Sequence, residues 1–368
     1  MNEEGSASNL RVVFAAGGTG GHVFPAVAVA EALKKKTVGA RIVFVGTRGK
    51  IENSIVPKYG FEIFTIWLSG FQRKSIQKNL MLPLKLIVSM IQARNIMKSI
   101  RPKVVICAGG YVSYPVGRAA LRAHIPLVLM ESNSTPGLVI QKLASRASVV
   151  HVAFGNSRKV FDAKAPVYVS GNPIRAEFAE PMAKSDARKL FGLDPNKKTL
   201  LVFGGSLGAR SINEAVSNAV EEIIKSDIQV LWQTGNSFTA KKQMANVKQL
   251  AFIQEMRAAY AAADLVVCRS GATTVAELTY LGIPSVLVPY PYHSDKQQEK
   301  NASALLEFGA ALVANDNEIG EKLLPLVTSL LHDDVRLATM RDAAWSLGVR
   351  DAAERIADNI LLLAENHG

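Results

Sequence analysis

Three glycine-rich stretches stand where a short apolar run gives way to a helical one. They read "VVFAAGGTGGHVFP" from Val12 to Pro25, "FGGSLGARSIN" from Phe203 to Asn213 and "RSGATTVAEL" from Arg269 to Leu278. Glycine lets the backbone approach an anion closely, and the following helix turns free N–H groups and a positive dipole end toward it. The chemistry such turns offer is the holding of phosphate. Ser206 adds a hydroxyl donor to the second stretch. A tight strand–helix turn needs one glycine, and that stretch has three.

Side chains suited to a sugar nucleotide lie beside these turns. Glu277 falls about one turn into the helix opened by "RSGATTVAEL". There it either complements the helix dipole or accepts both hydroxyls of a ribose, and the nearby phosphate loop favours the ribose. Ser270 or Thr273 is expected to cap that helix. In "PYHSDKQQEKNA" Asp295 is a candidate cap. The amides of Gln297 and Gln298 suit sugar hydroxyls, which donate and accept in turn. His22 lies on the first turn of the helix that follows the first glycine stretch. It is either structural or a base kept neutral by the helix dipole.

Pattern excludes other chemistries. "GGTGGH" leaves Val23 where the third glycine of a dinucleotide fingerprint would stand, and "RIVFVGTRG" lacks the acidic residue that holds a nicotinamide ribose. No HExxH, CxxC or Asp-x-Asp indicates a metal, and no GxSxG indicates a nucleophile elbow. Cys107 and Cys268 each end an apolar run and read as buried small hydrophobes.

The elements that must position these groups alternate along the chain. "LRVVFAA", "ARIVFVG", "FEIFTIW", "KVVICAG" and "IPLVLME" are short strand-like runs with helical stretches between them, the longest from about Ser75 to Ser99. A second series follows in "KTLLVFGGS", "IQVLWQTG", "KQLAFIQ", "ADLVVCRSG", "PSVLVPY" and "AALVAND". Strands alternating with helices predict an α/β fold of two Rossmann-like, doubly wound parallel-sheet domains facing a cleft, with ligands at the carboxyl ends of the strands. A chain of 368 residues also exceeds the ~250–300 at which single cores divide. Gly, Asn and Pro between Val167 and Phe178 mark the boundary. The expected division is a disordered lead at 1–10, a first domain at 11–173, a second at 174–350 and a final helix at 351–368 packing back toward the first domain.

Charge is unevenly spread. The chain carries +12, and from Ile63 to Met130 it has ten Lys or Arg and no Asp or Glu. Trp67, Phe71, Arg73, Lys74, Lys78, Leu80, Leu84 and Lys85 fall in this stretch, whose helix has more apolar residues than one buried stripe requires. It is either a core-facing helix with solvated lysines or a surface for anionic lipid, and the surplus favours lipid. Nucleic acid fits less well, because the aromatics are not spaced as stacking platforms. The first ten residues, "MNEEGSASNL", carry neither the basic nor the apolar region of a signal peptide, so none is expected, and no apolar run approaches the ~20 residues of a membrane span.

Taken in order, "GGTGGHVFPAVAVAEAL", "GGYVSYPVGRAA", "GNPIR", "FGGSLGAR", "AAYAAADLVVCRSGATTVAEL", "GIPSVLVPYP" and "DKQQEKNA" cover nearly the whole chain, and together they resemble the MurG-type N-acetylglucosaminyltransferases of bacterial cell-wall synthesis. The resemblance implies a GT-B fold. It also implies inverting transfer of GlcNAc from UDP-GlcNAc to the C4 hydroxyl of MurNAc in undecaprenyl-linked lipid I, giving lipid II. It implies no metal or other cofactor and no nucleic acid. The expected location is the cytoplasmic face of the inner membrane, peripheral on an anionic surface, with other cell-wall synthesis proteins as further partners.

Carried over by motif, the Ile253 backbone would read the uracil edge and Glu277 the ribose. Ser206, Arg175, the run Ala272, Thr273, Thr274, Val275, Ala276, and Gln297 or Gln298 would meet the rest of the donor. Thr19, Gly20, Gly21 and Asn133 would reach it from the first domain. Gly17, Gly18, Gly109, Gly110 and Tyr111 would cradle the acceptor pyrophosphate. His22 is the candidate base, and Arg269 the candidate for leaving-phosphate charge. Ser132 stands where the family commonly has glutamine, and "PYPYHSDKQQ" is one residue longer than in some relatives, which leaves Gln297 and Gln298 interchangeable. A UDP-GlcNAc 2-epimerase of the same fold would need several cleft acids and bases where the motifs offer mainly glycines and amides. A non-catalytic, membrane-docked UDP-sugar-binding protein is the alternative from another class.

Overall fold

Strands buried on both faces must be apolar along their whole length, and the short β-branched runs of this chain are of that kind. A computed structural model describes residues 10–70, 80–161, 165–205, 208–238, 244–292 and 296–367. The expected lead at 1–10 and the site candidates Phe71, Arg73, Lys74, Lys78, Ser206 and Asp295 lie outside the described residues, save Leu10. The chain divides into two compact units, one of residues up to Ala176 together with those from Arg350 onward, the other Glu177–Val349.

The first unit runs β1 Arg11–Ala15, α1 Gly20–Lys36, β2 Arg41–Thr47, α2 Glu52–Ile55, β3 Glu62–Ile66, α3 Leu82–Ile100, β4 Val104–Cys107, α4 Ser113–Arg122, β5 Leu127–Glu131, α5 Leu138–Ala144, β6 Val149–Val152, α6 Gly155–Arg158 and β7 Val167–Val169. Its sheet is parallel in the order β3-β2-β1-β4-β5-β6-β7. Side chains alternate across it. Val12, Phe14, Ile42, Phe44, Val104 and Ile106 form one core, and Val13, Ala15, Val43, Val45, Val105 and Cys107 the other. Strands β6 and β7 escape a reading by apolar run, because His151 interrupts the first and Tyr168 and Val169 of the second are exposed at the sheet edge.

The second unit runs α7 Lys184–Leu190, β8 Lys198–Phe203, α8 Arg210–Lys225, β9 Ile228–Gln233, β10 Val247–Leu250, α9 Met256–Ala262, β11 Leu265–Cys268, α10 Ala272–Leu281, β12 Ser285–Leu287, α11 Gln297–Glu307, β13 Ala311–Val313, α12 Ile319–Leu331 and α13 Asp334–Leu347. Its parallel sheet is ordered β10-β9-β8-β11-β12-β13. The last helix, α14 Ala352–Glu365, belongs to the first unit. Its Ala353, Ile356, Ala357, Ile360 and Ala364 join the core that holds Val29 and Leu33 of α1, and Asp358 pairs with Lys36.

In each sheet the strand order reverses beside the first strand, between β1 and β4 and between β8 and β11. Such switch points open a crevice at the carboxyl ends of the strands. The glycine-rich turns are what the chain places there.

Candidate functional site

In the first unit the turns after β1 and β4 interlock. A side chain at Gly110, whose φ is +77°, would meet the Gly17 carbonyl oxygen at 2.3 Å, and one at Gly109 would meet the His22 ring at 2.5 Å. Ser113 ties the two turns, accepting from the Gly109 N–H and lying 3.2 Å from the Ala15 carbonyl oxygen. Gly17 has a further reason to lack a side chain, since a Cβ there would lie 2.6 Å from Glu52 Oε1. Glu52 is fully buried and accepts from the Gly18 N–H at 3.1 Å, the Thr47 N–H at 2.8 Å and the Thr47 hydroxyl at 2.9 Å. A buried carboxylate with three donors is stable only as a brace, and this one fixes the first glycine turn to the end of β2. No motif contains Glu52. The only trace it leaves in the sequence is a lone acid five residues after the end of β2.

Thr19 is the N-cap of α1 but makes no side-chain cap. Its Oγ1 instead lies 3.3 Å from His22 Nδ1, which is 3.2 Å from the Gly17 carbonyl oxygen. A carbonyl only accepts, so Nδ1 carries the proton and Nε2 the basic lone pair. The His22 pKa is lowered, as expected, but chiefly by burial, with the Gly17 carbonyl and the Glu52 charge opposing. Desolvation, more than the helix dipole, keeps the ring neutral.

Further along the same sheet, the Asn133 amide donates to Glu131 Oε1 at 3.0 Å, so a buried carboxylate fixes its orientation. Burial pushes the Glu131 pKa up, against hydrogen bonds from Gly137 and Asn133. Ser132 donates to Asn172 Oδ1 at 2.9 Å. Tyr111 is exposed, with its ring over Gly70. Arg175 stands beside the expected boundary at 174. It lies in the first unit, its guanidinium 4.4 Å over the Phe24 ring and its Nη1 3.3 Å from Tyr59 Oη.

In the second unit four turns meet at the carboxyl edge of the sheet. Gly205 has φ +93° and Gly208 φ +79°, conformations that suit glycine alone. Gln233, at the end of β9, donates to the Gly205 carbonyl at 3.0 Å and accepts the Ile253 N–H at 2.8 Å. One buried amide therefore joins the phosphate-type turn to the segment expected to read uracil. The Ile253 N–H is thus engaged within the protein.

Arg269, the candidate for leaving-phosphate charge, has partners within the protein. Its guanidinium pairs with Asp316 at 2.5 Å and donates to Ser211 Oγ and the Val288 and Pro289 carbonyls, each at 3.1 Å. Its charge is compensated within the protein, so it clamps the turns after β8, β11, β12 and β13 together. Asp316 gave no signal in the sequence. Neither Ser270 nor Thr273 caps α10; the N-cap is Gly271, and the buried Ser270 hydroxyl goes to the Gln298 carbonyl at 2.8 Å. Gln298 Oε1 accepts the Tyr290 N–H at 2.9 Å, while Gln297 is half-buried at the start of α11. Of the α10 run, Ala272 and Val275 are buried, and Thr273, Thr274 and Ala276 are partly exposed. Glu277 is buried and accepts the Tyr260 hydroxyl at 2.8 Å. Burial pushes the Cys107 thiol up to about 12, and burial with the Glu277 charge raises that of Cys268, so both thiols are inert packing groups.

On α3 the buried residues are Ser89, Ala93, Met97 and Ile100, a single stripe. Leu80 and, on the helix itself, Leu84, Leu86, Ile87 and Ile91 are exposed, as is Trp67, with Lys85 Nζ 5.7 Å from its ring. No helix among the described residues is long and apolar enough to cross a membrane.

The glycosyltransferase family 28 N-terminal domain model matches residues 12–152, and the family 28 C-terminal domain model matches residues 199–356. A Bacteroides fragilis protein named UDP-N-acetylglucosamine--N-acetylmuramyl-(pentapeptide) pyrophosphoryl-undecaprenol N-acetylglucosamine transferase is 38% identical, over 99% of this chain and 98% of its own. A Chlorobaculum tepidum protein of the same name is 39% identical, over 97% of this chain and 100% of its own. Among solved structures, Acinetobacter baumannii MurG superposes with a TM-score of 0.73 at 29% identity, covering 96% of this chain and 99% of that one. A Listeria monocytogenes protein described as a UDP-N-acetylglucosamine 2-epimerase has the same TM-score at 14% identity, a likeness of fold alone. By sequence over its full length and by the architecture of both units, this chain belongs to glycosyltransferase family 28.

Proposed function

We propose that this protein is an inverting glycosyltransferase that moves N-acetylglucosamine from UDP-GlcNAc to the C4 hydroxyl of MurNAc on undecaprenyl-pyrophosphoryl-MurNAc-pentapeptide. The observation that carries this reading is near-complete alignment, at 37–39% identity, with relatives named for that transfer. The second unit is the donor-binding one. Its glycine turn at Gly204 and Gly205 and the N-terminus of α10 offer backbone N–H groups to the diphosphate, and Glu277 takes the ribose. In this reading helix N-termini, not a resident metal, meet the leaving charge. Arg269 contributes by fixing the turns.

The first unit takes the acceptor. Its interlocked turns around Gly17, Gly18, Gly109 and Gly110 face the crevice of the β1–β4 switch point and suit a pyrophosphate. His22 Nε2 accepts the C4 proton as that oxygen bonds to the anomeric carbon. The bond from the same carbon to the UDP oxygen breaks, and UDP leaves with the electron pair. One displacement inverts the centre.

The exposed apolar side of α3, flanked by lysines and arginines without acids, rests on the anionic cytoplasmic face of the inner membrane, where the lipid acceptor lies. Incubation with UDP-GlcNAc and a short-chain lipid I analogue tests the whole reading. Acceptor-dependent UDP release is expected; release or isomerisation of the donor without acceptor would overturn it, the latter in favour of an epimerase.

A further inference from the structure

We infer that Tyr260 is a positioning residue that holds Glu277 in the orientation from which it distinguishes a ribonucleotide from a 2′-deoxyribonucleotide. The inference rests on the reading of Glu277 as the ribose acceptor.

The residues come from separate elements, Tyr260 from α9 and Glu277 from α10, and both are buried. Tyr260 is 2% exposed. Its ring is wedged between Phe178, at a centroid distance of 5.7 Å, and Phe203, at 6.0 Å and edge-on. Phe203 is the last residue of β8, directly before the glycine turn, so the aromatic cluster ties the tyrosine to the phosphate-holding end of the sheet. A buried phenol requires a hydrogen-bond partner, and here it donates to Glu277 Oε2 at 2.8 Å.

The glutamate needs this contact for two reasons. A carboxylate at 7% exposure is costly unless donors satisfy it, and a phenolic O–H is such a donor. A vicinal diol is also read by two acceptor oxygens at once, which demands one carboxylate orientation out of the several that three side-chain torsions allow. Fixing one oxygen on a rigid neighbour supplies that orientation before the ligand arrives, so binding loses less side-chain entropy. A hydrogen-bonding site that is misaligned loses discrimination against the ligand lacking the hydroxyl more than it loses affinity in general.

Tyr260→Phe removes the hydroxyl and keeps the ring between Phe178 and Phe203. With UDP and 2′-deoxy-UDP as probes in titration calorimetry, the variant should lose most of the preference for UDP. Its KM for UDP-GlcNAc should rise about five- to tenfold, the scale of one ordinary net hydrogen bond, with kcat changed less than about twofold. Tyr260→Leu, which also removes the ring, should lower the melting temperature further yet give the same reduced preference. Glu277→Ala should abolish the preference, and adding Tyr260→Phe to it should change nothing more. If Glu277→Ala abolishes the preference and Tyr260→Phe retains it in full, the positioning role is wrong and the ribose reading stands. A preference that survives Glu277→Ala would overturn the ribose reading itself.

Discussion

His22 presents a lone pair on Nε2 because the Gly17 carbonyl holds the Nδ1 proton, and burial keeps the ring neutral near pH 7. His22→Ala is expected to lower kcat by about 100-fold or more while leaving donor affinity unchanged, measured by steady-state kinetics and UDP titration. With the pKa below its ordinary 6.5, activity should fall only as pH drops through that lowered value, and the variant should lack this acid limb. A loss confined to thermal stability would return His22 to a packing role. His151 supplies an independent pH effect, on stability. Its ring is buried on β6, with Nδ1 2.7 Å from Ser170 Oγ, and burial lowers its pKa from 6.5 to about 4. Between these values the unfolded chain binds a proton that the folded one does not. Stability is therefore full above pH 6.5, declines as pH falls and levels off below about 4, a loss of up to about 3 kcal/mol. Urea unfolding of the wild type and His151→Gln across this range should show a distinctly shallower slope in the variant, since His22, also lowered by burial, keeps its own contribution.

At the scale of elements, the proposed function rests on the glycine turns and on one helix. Gly208→Ala would place a Cβ 2.2 Å from the Thr234 carbonyl oxygen at a φ of +79°, so it should cost about 2–3 kcal/mol in unfolding free energy. On α3, Leu84→Glu with Ile87→Glu should abolish flotation with anionic vesicles and leave the melting temperature within a few degrees, because both side chains are exposed. Retained flotation would remove α3 from the proposed membrane contact. The turns and strands were readable from sequence because glycine at a strand's carboxyl end is a local pattern, visible within ten residues. The braces were not. Glu52 meets Gly18 across 34 positions, Gln233 meets Gly205 across 28, and Arg269 meets Ser211 across 58. A side chain whose task is to join two turns has no neighbourhood signature of its own. For the same reason Ser270, read locally as a cap, proves to be a link to the backbone of Gln298, 28 residues on.

At the scale of the molecule, the first unit is discontinuous in sequence. It consists of the residues up to Ala176 and those from Arg350 onward, while Glu177–Val349 is one uninterrupted piece. A fragment of residues 177–349 should therefore fold alone and bind UDP, whereas a chain ending at Val349 lacks the α14 residues Ile356, Ala357 and Ile360 from the core of the first unit. Calorimetry of that truncation should show one transition preserved and one lowered by 10 °C or more, roughly the effect of removing several buried aliphatic side chains. Two unchanged transitions would show that α14 contributes nothing to the first core. The arrangement also orders events during synthesis. Residues 10–176 precede α14 by the whole of the second unit, so the core of the first can close only after Glu177–Val349 has been made. A chain stopped before α14 would hold every residue of the second unit and an unfinished core in the first.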